Sequence, residues 1–426
     1  MTRKLLDDCF LHDGERMRHA DALALLASRV TPVAGVETVD LAASIGRVLA
    51  EPAVAAIDVP AHTNAAVDGY SFASGDYDRV GGTTFATGGR AAAGHPLAIA
   101  PAPGCAVRIF TGAVLPAGHD TVVMQEDCER LVVAGREAVR IPGGLKAAAN
   151  VRHAGEDVRA GATLMGSGQV IRPQDAAGLA SIGIARVSVF NRLRVALASS
   201  GDEIVAPGAP LAPGQVFDAN APMIEGLLAT AGVSVTRLGI LPDDADAVRE
   251  CLLAAACAHD LILTSGGASR GEEDHMVATL DAIGRRHLWQ LAVKPGRPML
   301  FGQIGDCAVV GLPGNPVAVL VCFLMYVWPL LRRLGGADWP EPRRYPLPAA
   351  FTFEARKTGR REFWRGILRQ TDAGLVVDKF ARDGSGLISG LRAADGLIEI
   401  GEDVAAVRPG DTIDFIPFTE FGIGPR

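Results

Sequence analysis

Three short segments hold residue types that bind anions. They are Ser199-Ser200-Gly201-Asp202-Glu203, the stretch Ser265-Gly266-Gly267-Ala268-Ser269-Arg270-Gly271-Glu272-Glu273-Asp274, and Pro313-Gly314-Asn315-Pro316; each follows a run of apolar residues. Glycine frees backbone N–H groups to turn toward an anion, and a helix starting at such a loop adds the positive end of its dipole. Ser265, Gly266, Gly267, Ser269 and Gly271 are therefore expected to cradle a phosphate-bearing ligand, with Pro313, Gly314, Asn315 and Pro316 shaping the neighbouring loop. Pro316 stands where proline suits the first residue of a helix. One loop of this kind is an ordinary turn. Three at the ends of neighbouring strands make a site.

Charge sorts the candidates further. Lys294-Pro295-Gly296-Arg297-Pro298 places two cations in a loop stiffened by two prolines and a glycine. Cations held in this way suit an oxyanion, arginine as a fork and lysine as a point charge. Glu203, Asp243, Asp244, Glu272, Glu273 and Asp274 would instead repel a phosphate. A hard cation removes the conflict, because Mg²⁺ is commonly held by one or two carboxylates plus substrate phosphates. These acids are therefore candidates to meet such a cation, although Asp274 suits a helix cap equally well. Glu272 and Glu273 read as capping or solvated acids.

The elements that must hold these residues alternate in type. Leu193–Ser199, Val233–Leu238, Leu261–Thr264, Leu288–Val293 and Ala308–Gly311 read as strands, and Met223–Ala231, Ala245–Ala258, Asp274–Ile283 and Pro316–Leu331 as helices. This alternation predicts βαβ units around a mostly parallel sheet, with ligands beyond the carboxyl ends of its strands. Ahead of it, the pattern predicts helices over Ala20–Val30, Leu41–Glu51 and Arg172–Ile182, with short β-like runs between Ile57 and about Arg140. After Trp339 the texture is again β, behind a linker stiffened by Pro340, Pro342, Pro346 and Pro348. The expected division is 1–55 plus 145–185 as an elongated region and 56–144 as an inserted β-rich domain. A central α/β domain over 186–336 and a β-barrel-like C-terminal domain over 337–426 complete it.

The bulk properties exclude several functions. A net charge of −7 without a basic run disfavours duplex nucleic acid as a partner. The most apolar stretch, Val317–Leu331, is shorter than the roughly 20 residues needed to span a bilayer and reads as a core helix. Met1–Asp13 lacks an apolar signal core, and the seven cysteines are scattered without a CxxC pair. A cytoplasmic protein with reduced thiols is expected. His62 has no partner histidine at metal spacing. Walker and Gly-x-Gly-x-x-Gly patterns are missing, which disfavours P-loop and Rossmann readings.

Two further segments, Asn64-Ala65-Ala66-Val67-Asp68-Gly69-Tyr70 and Arg108-Ile109-Phe110-Thr111-Gly112-Ala113, complete a pattern of six ordered motifs with the loops above. As a set they resemble the molybdopterin molybdenumtransferase family (MoeA and the E domain of gephyrin) along almost the whole chain. The resemblance implies an elongated cytoplasmic homodimer with four domains per chain, in transient contact with other cofactor-biosynthesis proteins. It also implies Mg²⁺-dependent insertion of molybdate into adenylylated molybdopterin, with release of AMP. By resemblance, Asp68 and Thr111 face the cleft from the inserted domain, while Glu203, Asp243 or Asp244, and Asp274 handle Mg²⁺ and the pyrophosphate. Lys294 and Arg297 would hold the oxyanion or the pterin phosphate, and Arg360 and Ser385 match positions from the C-terminal domain. Arg297 stands where the family usually has a second lysine, Thr63 where it has an aspartate, and Ala66 where it has a serine. Ala318 replaces a small hydroxyl residue. The alternative readings are a non-catalytic relative that binds the cofactor or a partner as a scaffold, and an unrelated nucleotidyltransferase.

Overall fold

The computed structural model describes residues 16–266 and 275–425. Its centre is a six-stranded sheet in the order Ser234–Leu241, Arg194–Ser200, Leu261–Ser265, Cys307–Leu312, Leu300–Ile304, Arg285–Trp289. The first four strands run parallel and the last two turn antiparallel. Strands covered on both faces must be apolar throughout, and alternate residues here divide between two cores. Val195, Leu197, Leu263 and Val310 pack with Ile224, Leu228 and Phe323 on one side. Ala196, Ala198, Ile262 and Val309 pack with Val248, Leu252 and Leu280 on the other. Helices Asn220–Ala231, Ala245–Ala258 and His275–Ile283 supply those covers.

The core helix forms as one run, Pro316–Leu334, of which 89% of the most apolar window is buried. It is long and apolar enough to cross a membrane, but burial inside the fold accounts for that composition. Its middle, Phe323–Val327, widens to a π-helix just before Pro329. Proline has no N–H and its ring crowds the carbonyl four residues back, so a widened turn ahead of it relieves the clash.

Around this centre the chain builds two further sheets. Thr121–Met124, Gly69–Phe72, Cys105–Ile109, Thr83–Ala91, Arg136–Ile141 and Glu129–Val133 form one, over a core of Phe72, Phe85, Val139 and Ile141. Chain on either side of it pairs in short ribbons: Val36–Asp40 with Arg186–Phe190, Ala53–Val54 with Thr163–Met165, and Asn64–Ala65 with Val151–Arg152. The last sheet runs Val293–Lys294, Arg361–Thr371, Gly396–Ile400, Thr412–Pro417, Tyr345–Pro348. Gly374–Lys379 pairs with Arg361–Thr371, and Ala349 bridges Val377, which curls the sheet back on itself.

Two expectations fail, and one strand of the central sheet had none. Leu41–Glu51 is not a helix; it is a single turn, Leu41–Ala43, followed by extended chain. Gly46 adopts φ +79°, and Val48 and Leu49 bridge Val170 and Val189, so tertiary pairing claims the apolar residues that mimic helical spacing. The strand expected at Leu288–Val293 is Arg285–Trp289, and Gln290 at φ +85° ends it. Val293–Lys294 instead crosses to the C-terminal sheet. Leu300–Ile304 is a strand with no forecast, joined to Cys307–Leu312 by a tight turn at Gly305-Asp306.

One buried titratable group joins the first helix, His19–Arg29, to this core. His19 is 1% exposed, its Nδ1 lies 2.7 Å from the Tyr326 hydroxyl, and it packs edge-on against Phe363. Burial, helped by Arg361 and Arg344, lowers its pKa to about 3. Histidine in the unfolded chain titrates near 6.5, so the unfolded state takes up the proton first as pH falls. Stability is therefore full above pH 6.5 and declines from there toward pH 3. Between pH 7 and pH 5 the wild type should lose about 2 kcal/mol more than His19→Gln, measured by urea denaturation at each pH. Equal losses would refute this.

Candidate active site

The parallel register aligns the ends of the three strands that lead into the expected anion-binding loops. Ser199 pairs with Ser265, and Ser265 with Leu312, so all three strands end level. Gly266 makes the tightest approach. At φ +88° a Cβ there would lie 2.5 Å from the Ser200 carbonyl oxygen, and its N–H donates to Leu312 O. Gly267, Ser269, Gly271 and Asp274, expected in the same loop, lie outside the described residues.

A polar network beneath these ends went unforeseen. Ser199 Oγ donates to Asp218 Oδ2 at 2.5 Å, and Asp218 Oδ1 accepts the N–H groups of Asn220 and Ala221 at the start of the next helix. The Asn220 amide then donates to Ser265 Oγ at 2.8 Å and to the Gly314 carbonyl at 2.7 Å. Both Asp218 and Asn220 are buried. This one chain of bonds ties together all three strand ends. The Asp-Ala-Asn-Ala-Pro run at 218–222 is a legible helix-start signal, but its second task needs the fold.

The expected metal ligands separate. Asp243 and Asp202 exchange backbone bonds, Asp202 N to Asp243 Oδ2 at 3.2 Å and Asp243 N to Asp202 Oδ1 at 3.1 Å. Each keeps a second carboxylate oxygen for another partner. Asp244 caps the helix Ala245–Ala258 by accepting from Ala247 N at 2.8 Å. Glu203 folds over Gly201, where a Cβ would lie 2.3 Å from Glu203 Oε2. Among the described residues no three acids, histidines or cysteines gather at metal-binding distance.

The cations stand at the other end of the ledge. A cleft of about 520 Å³ opens between the central sheet and the C-terminal sheet, lined by Lys294, Arg297, Pro313, Gly314, Asn315 and Ser385 among others. Phe363, Trp364 and Phe380 give it an aromatic wall. The Lys294–Pro298 loop is held at both ends. Val293–Lys294 pairs with Arg361–Glu362, and Gly296, at φ +108°, packs where a Cβ would lie 2.4 Å from Cys322 Sγ. Arg297 donates to Gln290 Oε1 at 3.3 Å. The Ser385 carbonyl accepts the Val317 N–H, so the C-terminal loop seats on the start of the core helix. Buried Arg365 fixes that loop by donating to Leu387 O and Arg382 O. Arg360 and Pro316 are not in the lining; Arg360 is bonded to buried Glu362 instead, at 3.0 Å.

Asp68 and Thr111 come together, but away from this lining. Asp68 Oδ1 accepts both the Thr111 N–H at 2.8 Å and its hydroxyl at 2.7 Å. These bonds, the backbone one first, hold the half-buried Asp68 carboxyl below its ordinary pKa. Arg108 stacks on Tyr70 and Phe110 beside them.

The fold defines a multi-sheet α/β protein with a cleft, lined by Lys294 and Arg297, where two sheets meet, and the comparisons with known proteins agree on that fold. Residues 17–183 match the MoeA N-terminal region (domains I and II), 196–333 a probable molybdopterin binding domain, and 347–418 the MoeA C-terminal region (domain IV). A molybdopterin molybdenumtransferase of Haemophilus influenzae is 34% identical over 384 residues, covering 90% of this chain and 94% of that protein. Molybdopterin molybdenumtransferase 2 of Mycobacterium tuberculosis is 33% identical over 386 residues, covering 88% and 93%. The crystal structure of a MoeA molybdopterin biosynthesis protein from Pyrococcus horikoshii OT3 superposes with a TM-score of 0.80 at 26% identity, covering 95% of this chain and 100% of that one. The chain belongs to the molybdopterin molybdenumtransferase family.

The buried network carries a measurable share of the site's stability. Asn220→Ala strands the Gly314 carbonyl and the Ser265 hydroxyl without their donor, and should cost about 1–3 kcal/mol. Denaturant unfolding reads that loss directly. An unchanged midpoint and slope would show that the network does not tie the loops.

Proposed function

We propose that this enzyme inserts molybdate into adenylylated molybdopterin, with Mg²⁺ bound, and releases AMP. The observation that carries the proposal is the cleft itself, with Lys294 and Arg297 held on a pinned loop beside an aromatic wall. Its volume suits a small-molecule site. Molybdate is a tetrahedral dianion, and fixed cations neutralise its charge without reorganising during reaction. Half-buried Phe380 offers flat apolar surface to a pterin ring, backed by the buried Phe363 and Trp364.

Charge layout supports a long ligand. Three strand spacings separate the Asp243 end of the ledge from the Pro313 loop, about 14 Å. A diphosphate at the acidic end and the oxyanion at the cationic end would both be matched. Asp202 and Asp243 fit Mg²⁺, being hard oxygen donors with one carboxylate oxygen each uncommitted among the described residues. Together with the diphosphate they would hold the ion, which when bound neutralises phosphate charge there. Asp274 remains a proposed ligand by family resemblance alone. No side chain need act as a covalent nucleophile. The residues bind, orient and screen charge while sulfur displaces oxygen at the metal.

A homodimer in the cytoplasm is part of the proposal. The Asp68–Thr111 pair does not line the cleft within one chain, so it would reach the ligand from a second copy.

The test is AMP release from adenylylated molybdopterin with Mg²⁺, with and without molybdate. Release that depends on molybdate is expected, and Lys294→Ala should lower kcat/KM about 100-fold. No release, beside a transferase that works in the same assay, would overturn the proposal. Binding without turnover would favour the scaffold reading.

A further inference from the structure

Glu362 sits beneath the cleft, 1% exposed, and is not part of its lining. Strand pairing sets it directly opposite Lys294, at the one place where the central block lends a strand to the C-terminal sheet. Its Oε1 accepts from Arg360 Nε at 3.0 Å and lies 3.6 Å from Arg356 Nη1. Its Oε2 accepts from Trp364 Nε1 at 2.9 Å and lies 3.7 Å from Lys294 Nζ. Three cations thus share one buried carboxylate, which leaves the cluster net positive.

The partners differ in what they need. Arg356 is itself 2% exposed and donates to backbone carbonyls as well, so its place is set by burial. Trp364 packs against Phe351 and Phe353. Lys294 has neither constraint beyond its backbone. Its side chain is 54% exposed, on a four-carbon stem that is free to swing into water. Among the described residues, Glu362 is the acid that lies within ion-pair distance of the ammonium. A carboxylate at this depth persists only when charged donors compensate its lost hydration.

We propose that Glu362 is a positioning residue that acts through Lys294, holding its ammonium where the oxyanion binds while the shared cations keep the wall positive. This rests on the reading of the cleft as the oxyanion site. Misplacing a binding group by about 1 Å can cost up to about 100-fold in rate, so the effect should appear in kcat more than in folding.

The experiment is a double-mutant cycle on the full chain, with Glu362→Gln, Lys294→Gln and the pair. Glutamine keeps the size and one acceptor oxygen, for Arg360 or for Trp364, and removes the charge that draws Lys294. A loss due to the missing acceptor alone would be equal in both backgrounds. Expected is a fall in kcat of roughly 10-fold or more for Glu362→Gln in the wild-type background. In the Lys294→Gln background the same change should alter kcat by less than about 2-fold. Molybdate KM should move less than kcat, and Glu362→Asp, which keeps the charge, should recover part of the loss. Equal losses in both backgrounds, or a Glu362→Gln enzyme with wild-type kcat, would overturn the inference. A wild type that releases no AMP defeats the transferase proposal instead. The cycle is then read as molybdate binding by calorimetry, where non-additivity supports the role of Glu362 and additivity overturns it.

Discussion

Parallel pairing of Arg194–Ser200, Leu261–Ser265 and Cys307–Leu312 is the constraint from which the site follows. Parallel strands in register end on the same side, so three loops far apart in sequence become neighbours. That arrangement also brings their backbone polar groups close together, and they must be satisfied without blocking the ligand edge. Asp218 and Asn220 meet this demand from below. One acid and one amide serve as helix start, strand tie and loop anchor together.

The sheet also separates charges that would otherwise conflict. Carboxylates near a phosphate are repulsive if they crowd one point, and the sequence places many of them in the loops. The strand order puts Asp243 after the edge strand with Asp202 beside it, while the Pro313 loop, which lines the cleft with Lys294 and Arg297, follows a strand three places further in. The cationic end is completed by a second sheet. Because Val293–Lys294 belongs to the C-terminal sheet by pairing and to the central block by chain, the lysine loop is fixed to both walls of the cleft. Movement of one sheet against the other would have to break that pairing.

Much of the central block was legible because its signals are local. Apolar runs of strand length alternate with amphipathic segments, and glycine and proline punctuate them, so strands at Leu261 and Ala308 and the helix at Ala245 need no tertiary information. The failures lie where local signals are ambiguous. Leu41 to Glu51 has helical spacing, yet Gly46 and the pairings of Val48 and Leu49 put it in extended form. Leu300–Ile304 is a short apolar run whose antiparallel pairing depends on the turn at Gly305. Lys294 and Arg297 were legible as cations on a stiff loop. Glu362 was not, since it sits in an Arg-Arg-Glu run that reads as a solvated strand edge until burial is known.

The sequence by itself determined the alternation of elements, the family, and the residue types that can handle an oxyanion and a phosphate, since these depend on spacing and side-chain chemistry along one stretch of chain. Only the tertiary structure decided which of them meet. It paired Asp243 with Asp202 rather than Glu203, made Asp244 a helix cap, set Arg360 behind Glu362, and kept Asp68 and Thr111 out of the cleft lining. The physical reason is that hydrogen bonds and charges act over a few ångströms, and strand order, not sequence distance, sets which groups come that close.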